Sequence, residues 1–364
     1  MDHLLSERTL VTVVLVFFAN RVRNAEAVNA TYPALFAFGD SILDTGNNNG
    51  LGTFSKCNFP PYGGDFGEPT GRFCNGKIPT DLIAGDLGIK QTVPAYLSDN
   101  LSVDDLLTGV SFASGGSGND NLTATTLQVL TLSDQLQNFK DYIQKLNASV
   151  GPQKAASIVS NGLYLFSAGN NDIALTYTLN FAGSTSQNFT SYADSLVGWG
   201  SNFLNNLYQL GARHVWVLST LPLGCLPGPR SVKGGLFRVC SNDINDEAQF
   251  FNTKLKEEVS TLKNQPNLPN FDVTFIDVYN PMMNLIQNPS SQGFTNIDSG
   301  CCGTGLLETA LLCNALSVLC QNTSEYLFWD SAHPTQRAYE LIVDDILKAN
   351  NIPRFLADSR ANST

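Results

Sequence analysis

The stretch Ala34-Leu35-Phe36-Ala37-Phe38-Gly39-Asp40-Ser41 decides the fold of this chain. Its first five residues are apolar without interruption, which is typical of a strand that lies in a parallel sheet and is buried on both faces. Ser41 follows the predicted strand at its carboxyl end, where open α/β sheets bind their ligands. A serine at this place can be a nucleophile if a base reaches its hydroxyl group.

Four further apolar runs predict strands of the same kind. Together with the first, they give five predicted strands, at 33–40, 109–114, 162–168, 214–219 and 272–278. Apolar residues recur at helical spacing at 132–146, 192–210 and 244–262, and a last helix is expected at about 334–349. Strands that alternate with helices predict an α/β fold, a three-layer α/β/α sandwich of the flavodoxin-like kind with a mainly parallel five-stranded sheet.

Length and composition indicate a globular protein. The chain has 364 residues, of which 43% are hydrophobic and 15% charged, and this balance suits a packed core. A net charge of −11 makes nucleic acid or an anionic membrane surface an unfavourable partner. No internal repeat or long linker divides the chain, and no stretch beyond the N-terminal segment is apolar enough to span a membrane. We therefore expect residues 28–364 to form a single domain that is a monomer.

The N-terminal segment is typical of a secretory signal. Arg8 precedes an apolar stretch at 10–19, which is too short to span a bilayer as a helix. The small-residue pattern Ala25-Glu26-Ala27 follows, so we predict that residues 1–27 are a signal peptide cleaved near Ala27. Arginines directly after the apolar run leave an uncleaved anchor as the alternative.

Seven Asn-x-Ser/Thr sequons agree with secretion, because N-glycosylation takes place in the secretory pathway. The candidates are Asn29, Asn100, Asn121, Asn147, Asn188, Asn322 and Asn362. We expect an extracellular protein, located in the cell wall or apoplast if the source is a plant.

Eight cysteines, all beyond the predicted signal, fit disulfide pairing in an oxidising compartment. Their order along the chain suggests that Cys57 pairs with Cys74 and Cys225 with Cys240. A zinc site is the competing interpretation, and it is weak because Cys-x-x-Cys spacing is absent and no histidine lies among the cysteines. We therefore predict no metal. The pairing stays open for the remaining four, Cys301, Cys302, Cys313 and Cys320.

The chain has few histidines, and this limits the choice of a base for Ser41. Of the three in the chain, His3 lies in the predicted signal and His214 begins a predicted strand, at the end opposite to the expected ligand edge. His333 follows Asp330 by three residues, in the sequence Asp-Ser-Ala-His-Pro. Asp330 can hold the ring of His333, which can take the proton of Ser41 when an acyl-enzyme forms.

Glycine-rich turns after the other predicted strands supply donors for an oxyanion. Gly115 and Gly116 follow the second predicted strand, and Asn171 follows the third within Gly-Asn-Asn-Asp at 169–172. The N–H groups of Ser41 and Gly116, together with the side-chain amide of Asn171, are the candidate oxyanion hole. Gly115 is the alternative to Gly116.

Three other features are interpreted as structural or set aside. The segment at 71–77 has the spacing of a phosphate-binding loop, but Ile78 stands where that loop needs a hydroxyl to bind Mg²⁺. No Gly-x-Ser-x-Gly motif is present, which argues against the α/β-hydrolase fold. Asp44 and Asp172 flank the predicted site, and we interpret them as anchors of their own turns.

These stretches together resemble the plant-type GDSL esterase/lipase family of the SGNH hydrolase superfamily. The resemblance rests on residues 36–49, 109–118, 169–172 and 330–335, with further landmarks at 60–63, 71–77, 221–225 and 301–303. It implies an SGNH-type sheet and no cofactor, with Ser41 as nucleophile and His333 as base beside Asp330. It also implies the oxyanion hole of Ser41, Gly116 and Asn171. Ser111 departs from the Asn that the family often carries, and we interpret this as a local packing or hydrogen-bond change and not as a loss of catalysis.

The predicted function is a secreted serine esterase or lipase that hydrolyses carboxylic esters of a lipid, a polyester or an acetylated glycan. An acyltransferase is one alternative, because it uses the same acyl-enzyme. A catalytically silent glycoprotein that binds an acyl or glycan ligand is the other. Loops at 174–189 and 227–237 are expected to form the walls of the substrate pocket. The sequence does not predict the shape of these loops, so the identity of the substrate stays open.

Overall fold

The centre of the fold is a four-stranded parallel sheet between layers of helices. A computed structural model describes residues 31–180, 187–305, 307 and 312–354, and the predicted signal peptide, Asn29 and Asn362 lie outside them. The elements follow one another as β1 (Leu35–Gly39), α1 (Pro79–Asp86), α2 (Val103–Thr108), α3 (Asn121–Leu127), α4 (Leu132–Val150), α5 (Pro152–Asn161), β2 (Leu163–Ser167), α6 (Phe189–Gln209), β3 (His214–Leu218), α7 (Pro227–Lys233), α8 (Asn242–Lys263), β4 (Asp272–Ile276), α9 (Tyr279–Gln287), β5 (Asn296–Gly300), β6 (Tyr326–Phe328) and α10 (Gln336–Ala349).

The sheet has the order β1-β2-β3-β4, with every pair parallel. Its two faces are covered by different helices. Phe38 and Phe166 pack on Phe203 of α6, with ring centroids 5.6 Å and 4.8 Å away. On the other face, Leu218 and Ile276 line a small cavity together with residues of α1 and α10. The predicted α/β/α sandwich is confirmed, and the near-continuous apolar strands follow from burial on both faces.

The main sheet has four strands where five were predicted. Residues 109–114 run along the open edge of β1, and the N–H groups of Phe112 and Ser114 donate to Ala37 O and Gly39 O at 2.7 and 2.8 Å. This segment forms only isolated bridges. The ladder is interrupted at Gly39, because its N–H donates to Gln135 Oε1 at 2.8 Å and not to Phe112 O.

The second sheet was not predicted. It consists of β5 and β6, which pair in parallel with Gly300 opposite Phe328. The four predicted helices at 132–146, 192–210, 244–262 and 334–349 correspond to α4, α6, α8 and α10. The last begins two residues late, because Thr335 is its N-cap and accepts a hydrogen bond from Ala338 N–H. In the part of the chain that the structure describes, no helix is both long and apolar enough to cross a bilayer.

Three disulfides are present, Cys225–Cys240, Cys301–Cys320 and Cys302–Cys313. The predicted pair of Cys57 with Cys74 is wrong in this structure, where both are buried thiols. The two side chains lie in different apolar clusters. The thiol of Cys74 lies 3.3 Å from Asn75 Oδ1 and 3.5 Å from Pro334 O, near the start of α10.

The sequons within the described residues are all open to the surface. The five asparagines, at 100, 121, 147, 188 and 322, have exposed side chains. Their glycosylation stays a prediction.

Candidate active site

Ser41 lies in a tight turn directly after β1. The turn requires glycine at position 39, where φ is +116° and a Cβ atom would stand 1.8 Å from Ser167 O. The buried side chain of Gln135 holds the same residue from α4, since its Oε1 accepts from Gly39 N–H at 2.8 Å and its Nε2 donates to Gly39 O at 3.0 Å. These contacts set the direction in which the Ser41 side chain leaves the sheet.

Asp40 is a structural neighbour of Ser41 and is fully buried. Its carboxylate accepts hydrogen bonds from Ile42 N–H, Ser167 Oγ and Asn170 Nδ2 at 2.9 to 3.1 Å. Burial raises the pKa of Asp40 to about 6, although these donors act in the opposite direction. The residue therefore ties the turn after β1 to the turn after β2.

The hydroxyl of Ser41, the ring of His333 and the carboxylate of Asp330 form one connected line. His333 Nε2 is 2.7 Å from Ser41 Oγ, and His333 Nδ1 is 2.9 Å from both carboxylate oxygens of Asp330. Burial by itself would raise the pKa of Asp330, but the neighbouring His333 and hydrogen bonds from the N–H groups of Ala332 and His333 hold this pKa below its usual value. Asp330 is therefore an ionised acceptor that can orient the imidazole.

The loop that carries Asp330 and His333 is anchored by the second sheet and its disulfides. Trp329 N–H donates to His333 O, and Cys302 N–H donates to Trp329 O, both at 2.7 Å. Cys302 is itself bridged to Cys313. On the opposite side, Gly228 N–H at the start of α7 donates to Ser331 O at 2.8 Å.

Tyr62 is a site residue that the sequence reasoning did not identify. Its buried hydroxyl donates to Asp330 Oδ2 at 2.8 Å. Phe73 lies on the other side of the acid–base pair, with its ring 5.1 Å from that of His333. The only sequence signal for either was their place in the family landmarks at 60–63 and 71–77.

The candidate oxyanion donors differ in whether they are engaged. Gly115 N–H donates to Asp44 Oδ2, whereas the N–H groups of Ser41 and Gly116 have no acceptor within the described residues. Asn171 Nδ2 uses one hydrogen to donate to Ser117 O at 2.9 Å, which leaves its second hydrogen for a ligand. Of the two adjacent glycines, Gly116 is thus the one with an unbonded N–H.

A run of polar residues after Ser41 builds the support for these donors. Asn47 Nδ2 donates to the carbonyls of residues 111 and 113, and Asn48 Nδ2 donates to Gly115 O at 2.7 Å. Ser111 Oγ donates to Leu43 O at 2.8 Å, so this side chain is also part of the support. The supporting role of the asparagines was not predicted, although Asn47-Asn48-Asn49 was a visible signal.

The interpretation that Asp172 anchors its own turn is wrong. Its carboxylate accepts from the N–H groups of Asn119 and Asp120, which precede α3, and from Thr123 Oγ1 in the first turn of that helix. Burial raises its pKa to about 7. Asp44 does bind its own turn, at the N–H groups of residues 46 and 47, and it also reaches Gly115.

His214 lies outside the candidate site. It begins β3, and its Nδ1 is 3.6 Å from Asp272 Oδ2. No group of three or more metal-binding side chains occurs among the residues with described positions.

Comparison with known proteins identifies the family. Residues 35–346 match the GDSL-like Lipase/Acylhydrolase family. The chain belongs to this family. It is 50% identical over 322 residues to the GDSL esterase/lipase At5g42170 of Arabidopsis thaliana, which covers 88% of the chain and 86% of the relative. To At5g63170 of the same species it is 46% identical, over 96% and 98% of the two chains.

Solved structures also match the chain, at low similarity. LAE5, an α/β hydrolase enzyme from the metagenome of Lake Arreo, is 12% identical with a TM-score of 0.41, over 89% of this chain and 99% of its own. The family membership comes from the sequence relatives. This GDSL protein is therefore a hydrolase that acts on ester bonds.

Proposed function

We propose that this GDSL hydrolase is a secreted serine esterase or lipase that works through an acyl-enzyme on Ser41. The observation that carries the proposal is the 2.7 Å contact between Ser41 Oγ and His333 Nε2, with His333 Nδ1 bonded to the ionised Asp330. A serine hydroxyl becomes nucleophilic when an adjacent base can take its proton. A protein that only binds an acyl or glycan ligand would not need a base within hydrogen-bond distance of this serine.

In the proposed first half-reaction, Ser41 Oγ attacks the ester carbonyl carbon and its proton moves to His333 Nε2. The carbonyl oxygen becomes an oxyanion, which accepts from the N–H groups of Ser41 and Gly116 and from Asn171 Nδ2. His333 then gives the proton to the leaving alkoxide, and the alcohol departs. Loss of one such donor typically costs about 2.7–4 kcal/mol of transition-state stabilisation.

In the second half-reaction, water gives a proton to His333 and attacks the acyl carbon. The bond from the acyl carbon to Ser41 Oγ then breaks, His333 returns the proton to Ser41 Oγ, and the carboxylic acid is released. An alcohol in place of water would make the enzyme an acyltransferase, so hydrolysis and transfer share every residue named above. All of these groups come from one chain, which supports action as a monomer.

Secretion is supported by separate features. The signal-like segment at 1–27, the sequons and the three disulfides are typical of an extracellular protein. In this proposal residues 28–364 are the mature single-domain enzyme.

The surface beside the site favours an ester with a large apolar part as the substrate class. Residues 227–239, which comprise α7 and the segment that follows it, expose four apolar side chains, including Leu236 at 99% and Phe237 at 89%. The α7 end of this stretch contacts the Asp330–His333 loop through the bond from Gly228 N–H to Ser331 O. Exposed apolar surface of this kind is suited to an apolar substrate or interface, which favours a lipid or polyester over an acetylated glycan.

The experiment compares Ser41→Ala, His333→Ala and His214→Ala in the purified mature protein with a short-chain aryl ester. Both of the first two variants should lose hydrolysis to a similar extent, since these residues act as a unit, while circular dichroism is unchanged. His214→Ala should stay active. A fluorophosphonate probe should label Ser41. Retained activity in Ser41→Ala would overturn the proposal, and transfer to an added alcohol in place of hydrolysis would favour the acyltransferase.

A further inference from the structure

A polar groove separates α4 from α6 on the surface of the protein. It has a volume of about 290 Å³, and its walls come from residues 119–121, from one side of α4 and from Trp199, Asn202 and Asn206 of α6. The mechanism above uses none of these side chains. The groove is large enough to hold a ligand of several polar and apolar groups.

Asn119 forms part of the inner wall of the groove. Its side chain lines the groove and is only 6% exposed. Its Oδ1 is buried without a donor among the described residues and lies against Gly200 of α6. Its backbone N–H donates to Asp172 Oδ2 at 2.7 Å, which holds this part of the wall in place.

Trp199 gives the groove an aromatic wall. It is 42% exposed, whereas the other two tryptophans of the chain, Trp216 and Trp329, are 6% and 2% exposed. Asn202 and Asn206 follow on the same side of the helix. An indole face beside amide groups suits a sugar ring, because the ring packs its C–H face on the aromatic and directs its hydroxyl and acetamido groups to the amides.

Asn121 is a residue of this groove to which a sugar can be attached covalently. It is exposed, lines the groove and begins the sequon Asn121-Leu122-Thr123. We propose that Asn121 is N-glycosylated and that the groove holds the first N-acetylglucosamine of its glycan, packed on Trp199. This inference rests on the proposed secretion. Attachment to the chain keeps the sugar at a high effective concentration beside its site.

The modification is a transfer from an oligosaccharide–diphosphate lipid of the secretory pathway. A bond forms between Asn121 Nδ2 and C1 of the first sugar, the bond from C1 to the diphosphate breaks, and the amide loses one proton. Thr123 is 2% exposed, and its hydroxyl donates to Asp172 in the folded protein. The sequon is therefore accessible to the transferase only before this region folds.

The test uses the full chain secreted from eukaryotic cells and trimmed with an endoglycosidase that leaves one N-acetylglucosamine on each site. Peptide mapping should find Asn121 occupied. Asn121→Gln is compared with Asn147→Gln, which removes an exposed sequon of α4 that does not line the groove. Trp199 is the exposed tryptophan, so acrylamide quenching should rise about twofold in Asn121→Gln and stay unchanged in Asn147→Gln.

Thermal unfolding provides the second measurement. Asn121→Gln should lower Tm by about 1–2 °C, because the contacts of the bound sugar are lost and such a loss shifts Tm less in a large domain than in a small one. Asn147→Gln should leave Tm unchanged. Trp199→Ala should lower Tm in the glycosylated protein and add little in the Asn121→Gln background, because the two changes remove the same contact.

The outcomes separate this inference from the proposed secretion. An unmodified Asn121 in a protein whose other sequons carry sugar would overturn the inference and leave secretion standing. Equal quenching in the two variants would overturn it as well. Protection of Trp199 in Asn121→Gln by free N,N′-diacetylchitobiose would show that the groove serves a separate glycan. A secretion failure would appear as a chain without sugar at any sequon, whatever its activity on an aryl ester.

Discussion

Replacing Tyr62 by phenylalanine tests whether the carboxylate of Asp330 needs a second donor. Tyr62 and Asp330 are 4% and 2% exposed, so water does not easily replace the lost hydroxyl. Tyr62 is the donor to Asp330 Oδ2 besides His333, while Oδ1 keeps the N–H groups of residues 332 and 333. A hydrogen bond to a charged group contributes about 1.5–3 kcal/mol.

The expected result is a decrease in kcat by about 10-fold to 100-fold, since every 1.4 kcal/mol changes a rate tenfold. The loss should be smaller than in Ser41→Ala, because Asp330 stays bonded to His333. KM should change little, because Tyr62 lies behind the carboxylate and is buried from substrate. The assay is steady-state hydrolysis of a soluble aryl ester, with Tm measured in parallel.

Tyr164→Phe is the matched control. It removes a buried hydroxyl that donates to Val159 O at 2.8 Å, at a place that does not contact the site. It should lower Tm to a similar extent without lowering kcat. A Tyr62→Phe enzyme with kcat within twofold of the parent would refute the reasoning, and so would an equal loss of kcat in both variants.

Three further changes test other parts of the structure. Gly39→Ala should destabilise the protein by about 1–3 kcal/mol for backbone strain and about 1–3 kcal/mol for overpacking on Ser167, and a Tm equal to that of the parent would contradict the turn geometry. Burial raises the pKa of Asp172 to about 7, above its unfolded value of 3.8, so its contribution to stability is full below about pH 4 and is lost as the pH rises to 7. In urea titrations, the free energy of unfolding should therefore fall less steeply between pH 5 and 7 in Asp172→Asn than in the parent. An equal slope in both proteins would argue against the raised pKa. The double variant Leu236→Ser, Phe237→Ser should hydrolyse an emulsified long-chain ester at least tenfold more slowly, since each side chain contributes about 1.5–3 kcal/mol when buried, and should keep its rate on a soluble short-chain ester; equal losses on both substrates would point to a folding defect.

The predictions that held were those that depend on local pattern. The strands β1, β2, β3 and β4 lie within predicted runs that are rich in apolar residues, and this pattern is visible in the sequence alone. Residues 109–114 lie along β1 but do not form a regular strand, because the ladder is interrupted by a distant side chain, that of Gln135. Cys57 and Cys74 are likewise decided by tertiary packing, since proximity in sequence does not determine whether two thiols form a disulfide.

By itself, the sequence determined the α/β architecture, the family and the candidate residues Ser41, Asp330 and His333, because apolar periodicity, turn residues and rare side chains are visible without a fold. Only the tertiary structure decided that Tyr62 supports Asp330, that Gly116 and not Gly115 has an unbonded N–H, and that Asn119, Asn121 and Trp199 share one groove. These relations join residues up to 268 positions apart. They arise when the carboxyl ends of parallel strands and the helices beside them are packed together, which no local pattern encodes.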